Sequence, residues 1–246
     1  MCSSDLWQIV KPKPFRADDS KVEDLVRKLG DAKMDLNVSD DDQKKATASF
    51  NSGTAVATAK VTDASGTEEL QVRKNKDDYF AKSSAVEGVF KVGSDLGTAL
   101  DKTVDDFRNK KLFDLGFAEP EKIELQDGPK THFLTKGGSD WFSGDGKKVD
   151  AIGAEAFVEK VRDLAASKFV DSGFGAVAVE LTATSNGGKT VEKVLIAKDG
   201  DHYVAKRDGE PALYQLDPVV VTGLQKAAED MKPAVEPKPE ARPKKK

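Results

Sequence analysis

Polar and apolar residues alternate along much of this chain, in short runs separated by turn residues. Residues 7–10, 47–50, 55–62, 70–73, 79–82 and 89–92 read as strands in the first half, and 122–125, 131–135 and 191–197 in the second. Side chains on a strand point to opposite faces, so only every second position needs to be apolar. Helical spacing interrupts these runs. Val22, Leu25, Val26 and Leu29 fall at i, i+3, i+4 and i+7 behind a capping box of Ser20 and Glu23, and Gly30 closes the stripe. Phe157, Val161 and Leu164 form a second stripe, Leu96, Leu100, Val104 and Phe107 a third, and Leu224, Ala228 and Met231 a fourth, the last opened by Asp217 and Pro218 as N-cap and first-turn proline. The acidic run at 39–42 reads as a solvated loop, since neighbouring carboxylates repel. It lacks the spacing and glycine of a calcium loop.

One pattern occurs twice. Residues 79–92, YFAKSSAVEGVFKV, return 124 positions later as 203–216, YVAKRDGEPALYQL, with Tyr79, Ala81 and Lys82 matched identically by Tyr203, Ala205 and Lys206. Asn75-Lys76 precedes the first block where Asp199-Gly200, a strong hairpin dipeptide, precedes the second. Arg162-Asp163-Leu164 echoes Arg27-Lys28-Leu29 at a distance of 135, and Trp141 stands before its helix as Trp7 stands before the first, each expected as an anchor under that helix. The fold class expected is α+β: two tandem copies of an antiparallel sheet unit with amphipathic helices packed on it. The first copy is assigned to residues 7–117 and the second to 118–231, with 113–121 as linker. Strands near Lys122 and Thr131, joined by Asp127-Gly128-Pro129, precede Trp141, and nothing corresponds to them before Trp7. The first copy is therefore expected to be incomplete at its N-terminus, with two further strands and a membrane anchor upstream and a barer sheet edge as the result.

Composition adds limits. The charged share of 33% against 38% hydrophobic implies thin cores and a solvated surface. Residues 232–246 hold six basic and two acidic residues, a net of +4, which leaves −8 for the rest of a chain that totals −4. An acidic body argues against nucleic acid as a partner. The Pro- and Lys-rich stretch 232–246 reads as a disordered tail. Cys2 is the single cysteine, so no intramolecular disulfide forms. The opening MCSSDL resembles a translated sequencing-adapter remnant, which makes residues 1–6 an expected artefact.

Candidate chemistry fails residue by residue. His132 and His202 sit in strands without cysteine or an i, i+4 partner, a poor basis for a metal site. No Gly-x-Ser-x-Gly elbow supplies a nucleophile. Residues 186–190, NGGKT, end like a phosphate-binding loop, but Ala183 stands where glycine is required and a strand follows where a helix is needed. No catalytic, cofactor-binding or metal residue is assigned, and the expectation is a protein that is not an enzyme.

The order of Trp7, Ala17-Asp18, the 22–29 helix, the 79–92 block, Lys111-Leu112-Phe113, Trp141, the 157–164 helix and the 203–216 block resembles the bacterial domain-of-unknown-function family 4340 over residues 7–231. The resemblance implies an N-terminal membrane helix, absent from this sequence, followed by extracytoplasmic repeats in the bacterial cell envelope, in some members as accessories of ABC-type transport systems. It supplies no catalytic residues. The function expected is a non-catalytic interaction or scaffold module whose partners are an envelope or membrane protein complex. The alternative is a glycan- or peptide-binding protein using a groove between repeats.

Overall fold

A computed structural model describes residues 7–34, 37–116 and 118–234. They divide into two compact units, 7–109 and 110–234. The architecture is α+β, and all strand pairings are antiparallel.

In the first unit, β1 (Gln8–Ile9) pairs with β2 (Phe15–Arg16) and leads into α1 (Asp19–Asp31). A further helix, α2 (Asp40–Ser52), precedes the meander β3 (Thr54–Asp63), β4 (Gly66–Asn75), β5 (Asp78–Ser83) and β6 (Phe90–Val92), which is followed by α3 (Ser94–Leu100) and α4 (Val104–Phe107). Strand alternation splits the meander into two apolar faces. Val72, Tyr79, Ala81 and Val92 pack with Leu96 of α3 on one face, while Phe80 and Val89 pack with Phe50 of α2 on the other. The unit closes on itself. Ala17 pairs with Arg108, the Asp18 amide donates to the Phe107 carbonyl at 2.8 Å, and the Asn109 amide donates to the Arg16 carbonyl at 2.9 Å.

The second unit comprises β7 (Lys122–Asp127), β8 (Lys130–Gly137), β9 (Asp140–Ser143), α5 (Ala151–Arg162), β10 (Lys168–Val170), β11 (Val177–Ser185), β12 (Thr190–Asp199), β13 (His202–Arg207), β14 (Leu213–Leu216) and α6 (Pro218–Glu229). Its eight strands run in the order β10-β14-β13-β12-β11-β7-β8-β9. One continuous core joins Ile123, Leu125 and Leu134 of β7 and β8 to Phe157, Val158 and Val161 of α5 and to Val221 and Leu224 of α6. The same closure recurs: Val149 pairs with Pro233, the Asp150 amide donates to the Lys232 carbonyl at 2.8 Å, and the Ala234 amide donates to the Lys148 carbonyl at 2.8 Å. Register agrees between the meanders. Tyr79 lies opposite Val92 and Ala81 opposite Phe90, as Tyr203 lies opposite Leu216 and Ala205 opposite Tyr214. A shift in register falls between Ala55 and Ala57 in β3 and between Val177 and Val179 in β11.

Several elements differ from their sequence reading. The acidic run at 39–42 opens α2 instead of a loop, and residues 47–50 are helical. The Ser39 hydroxyl accepts the Asp42 amide, and three carboxylates sit in the first turn, where the positive end of the helix offsets their repulsion. Helix α1 is capped by Asp18, two residues before the expected Ser20, because Asp18 is already held by Phe107; the helix then runs through Gly30. Aligned on the caps Asp18 and Asp150, the α1 stripe Val22, Leu25, Val26 and Leu29 corresponds to Ala154, Phe157, Val158 and Val161, so the echo at 135 positions is out of step by three. The third stripe is broken at Asp101, where Thr103 and Asp106 form a capping box that starts α4. Leu112 and Phe113 are buried, Leu112 bonded to Leu164, so the expected linker begins within the second unit's core. Trp141 is buried, but Trp7 is 38% exposed. Residues 232–234 of the expected tail are paired as described, while 235–246 and residues 1–6 lie outside the described residues.

Two pairs of substitutions read this packing. Leu164→Ala should cost about 2–5 kcal/mol in denaturant melts, because Leu164 is fully buried, and Leu29→Ala only about 1 kcal/mol, because Leu29 is partly exposed. Equal losses would refute the burial difference. A methyl group on Gly97 would overlap the Tyr79 ring, whereas Gly223 in α6 has open space around it. Gly97→Ala is expected to destabilise by about 1–3 kcal/mol and Gly223→Ala to stabilise by about 0.5–1 kcal/mol, and thermal melts showing the same sign for both would overturn that assignment.

Candidate functional site

An open concavity lies in the second unit, where the start of β8, the turn after β9 and the end of α6 converge. Its volume is about 640 Å³. Phe133, Val149, Ala228 and Met231 supply apolar lining, and His132, Asp145, Lys147 and Glu229 the polar groups. The closure of the unit forms one wall, since Val149 and Pro233 are its bridged residues. Asp145 is held by the Ser143 hydroxyl at 2.6 Å and the Lys147 ammonium at 2.6 Å. Lys147 and then Ser143 push its carboxyl down to about 2. Glu229 is bonded by Lys130 at 2.5 Å, which lowers its pKa and raises that of the lysine. A general acid or base works best with a pKa near the operating pH. Both carboxylates are instead fixed in the charged form, an arrangement suited to meeting a polar surface.

A further cleft, about 410 Å³, lies in the first unit between α1, α3 and α4. Lys21, Lys28 and Lys102 rim it with Asp24 and Asp106, and Leu25, Ala99 and Phe107 contribute its apolar surface. Lys28 and then Arg27 lower the pKa of Asp24. The Thr103 amide and hydroxyl lower that of Asp106.

The residues weighed for chemistry do not converge. His132 is on β8 and His202 on β13, four strands apart in one sheet, and by register His132 is level with Arg207 rather than His202. The His202 Nε2 lies 3.4 Å from the Asp199 carboxylate across the hairpin. The 186–190 segment is the β11–β12 loop, with positive φ at Asn186, Gly187 and Gly188, and the Gly187 amide already donates to Glu121 at 2.6 Å. Among the described residues no group of three or more His, Cys, Asp or Glu could hold a metal ion.

An ionic network passed unnoticed in the sequence. Glu192 accepts the Asp114 amide at 3.1 Å and Arg207 at 2.5 Å, Arg207 reaches Glu210 at 3.3 Å, and the Tyr214 hydroxyl donates to Glu210 at 2.8 Å. Glu192 and Arg207 are only 11% exposed. The signal was a glutamate in period-two step with the buried Val194 and Ile196 on one face of β12. The network ties the segment after Lys110 to the sheet.

Asp145 offers a direct test of the groove's electrostatics. Its folded pKa lies below the ordinary 3.8, so the stabilisation from its partners is present above that value and fades as pH falls toward about 2. Carboxyl NMR should give a midpoint near 2 that rises in Lys147→Ala. A midpoint near 4 in the unaltered protein would refute the pairing.

Comparison with known proteins gives a family but no characterised relative: neither the curated proteins nor the solved structures contain a match. The family model for a domain of unknown function, DUF4340, matches residues 7–181, from Trp7 to β11. That match covers well over half of the sequence, and the chain belongs to the DUF4340 family.

Proposed function

We propose that this protein is a non-catalytic interaction module of the bacterial cell envelope, built from two copies of one sheet-and-helix unit. In the full-length protein it is held at the extracytoplasmic face by an N-terminal anchor and serves an envelope complex such as an ABC-type transport system. The duplication is supported by the matching registers of Tyr79 with Val92 and Tyr203 with Leu216, by the paired register shifts in β3 and β11, and by the two closures. The sequence repeat puts the boundary at 117–118, while the compact units divide at 109–110, so Leu112, Phe113 and Leu115 pack with the second copy.

The observation that carries the interaction reading is the distribution of aromatic and charged groups. Phe80, Phe90, Phe113, Phe157, Trp141 and Tyr214 are buried, Trp7 is the one exposed aromatic among the described residues, and each concavity holds a single half-buried phenyl ring, Phe133 in one and Phe107 in the other. Both concavities carry lysines and carboxylates at their openings. Sugar binding favours stacking aromatics around a pocket, whereas charged open surfaces meet the polar rim of a protein partner. Among the described residues no helix is long and apolar enough to cross a membrane, so attachment rests on the anchor that the family resemblance implies.

The test is to express the protein from its complete native locus with an epitope tag, fractionate the cells and cross-link. Recovery with membranes, access to protease from outside the cytoplasmic membrane, and cross-links to a membrane protein are expected. A cytosolic protein without membrane cross-links would sink this reading, and saturable binding to a glycan or peptide array with a change in Trp7 fluorescence would replace it.

A further inference from the structure

In the second unit the meander continues past β11: β7 and β8 add to its edge, and β9 completes the sheet. In the first unit the corresponding strand, β3, is the edge, and among the described residues no strand lies beyond it. The positions align through the shared register shift. Ala57 opposite Val72, Ala59 opposite Leu70 and Val61 opposite Glu68 correspond to Val179 opposite Ile196, Leu181 opposite Val194 and Ala183 opposite Glu192. Val179, Leu181 and Ala183 are buried, with β7 beside them. Ala57 and Ala59 are half-exposed, and Val61 is 52% exposed.

The helix above the sheet tells the same story independently. Ala154, Phe157, Val158 and Val161 of α5 are all buried, in the core cluster that contains Ile123, Leu125 and Leu134 of β7 and β8. At the equivalent positions of α1, Val22, Leu25 and Leu29 are half-buried and Val26 is 46% exposed; no residue of α1 is fully buried. A stripe this regular is retained on a helix that has something to cover. Edge strand and helix stripe are thus uncovered where the second unit places β7 and β8.

We propose that the outer edge of β3 is a strand-addition site occupied by an antiparallel β-hairpin of the same protein, encoded upstream of Trp7. The order within the second unit selects this occupant: β7 and β8 immediately precede β9, and β9 carries Trp141, the counterpart of Trp7. The added strand pairs by main-chain hydrogen bonds along residues 57–62. It places apolar residues opposite Ala59 and Val61, as Leu125 and Ile123 stand opposite Leu181 and Ala183, and polar residues opposite Thr58 and Lys60, as Gln126 and Glu124 stand opposite Glu180 and Thr182. The inference rests on the duplication proposed above, which an experimental superposition of the two meanders tests separately.

The experiment starts from the native gene. Its reading frame upstream of Trp7 should contain two alternating segments joined by a turn; an upstream frame without them overturns the proposal. The protein carrying its native upstream residues is then compared with the present chain by amide hydrogen exchange. Residues 57–62 should exchange at least tenfold more slowly in the longer protein, with β11 unchanged in both. Val61→Lys should be neutral in the present chain, where Val61 faces solvent, and should abolish the added protection in the longer one. Unchanged exchange in the longer protein, or protection of β3 in the present chain that grows with concentration, would overturn the proposal; the latter would assign the edge to a second copy.

Discussion

Each unit depends on a backbone constraint: the chain entering its first long helix is hydrogen-bonded to the chain leaving its last. Asp18 is fixed by Phe107 and Asp150 by Lys232, and each aspartate then caps the helix that follows by accepting the amide three residues on. The cap sets where helical geometry begins, and a slip of one residue would rotate every side chain of the helix by about 100°. The closure therefore decides which stripe of α1 or α5 faces the sheet. It outranks the local signals, which is why α1 begins at Asp19 although Ser20 and Glu23 form a plausible capping pair.

The two units use that constraint with unequal resources. In the second, an eight-stranded sheet under α5 and α6 yields one continuous core, and the ionic cluster of Glu192, Arg207 and Glu210 fastens the incoming segment at its margin. In the first, four strands are shared between α3 on one face and α2 on the other, so its buried residues fall into two small clusters. Hydrophobic stabilisation scales with the apolar area removed from water. The first unit, with less of it, leans more heavily on its caps and turns.

Much of the architecture was legible in the sequence because period-two alternation and turn dipeptides are local. The strands β3 to β6 and β12 to β14, the hairpin at Asp199-Gly200, α5 and the proline-led α6 follow from those signals, whereas β11 was not read as a strand. Helix α2 was not legible: its middle, Ala46-Thr47-Ala48-Ser49, has no apolar stripe, and only Phe50 is buried. The break between α3 and α4 was hidden because Leu96, Leu100, Val104 and Phe107 keep helical spacing across Asp101. The groove beside β8 could not be seen at all. It gathers residues near 132, 145 and 229 by a closure that involves no side-chain motif, and Asp145 gains its strong charge from a turn partner, Lys147, two residues away.

On the proposed duplication, the Tyr79 and Gly97 contact also constrains the order in which the two copies could have diverged. Gly97 is three residues into α3, and the same place in α6 is Val221, fully buried. Where the glycine stands, the tyrosine ring is buried against the helix; where the valine stands, Tyr203 is only partly buried. A valine cannot enter the first helix while the ring occupies its volume, but a glycine in the second would leave a hole that a ring could swing into. On the proposed duplication, passage from the valine form to the glycine form is open through a loosened but unstrained intermediate. The reverse passage must first withdraw the ring, so this contact works as a ratchet on sequence drift.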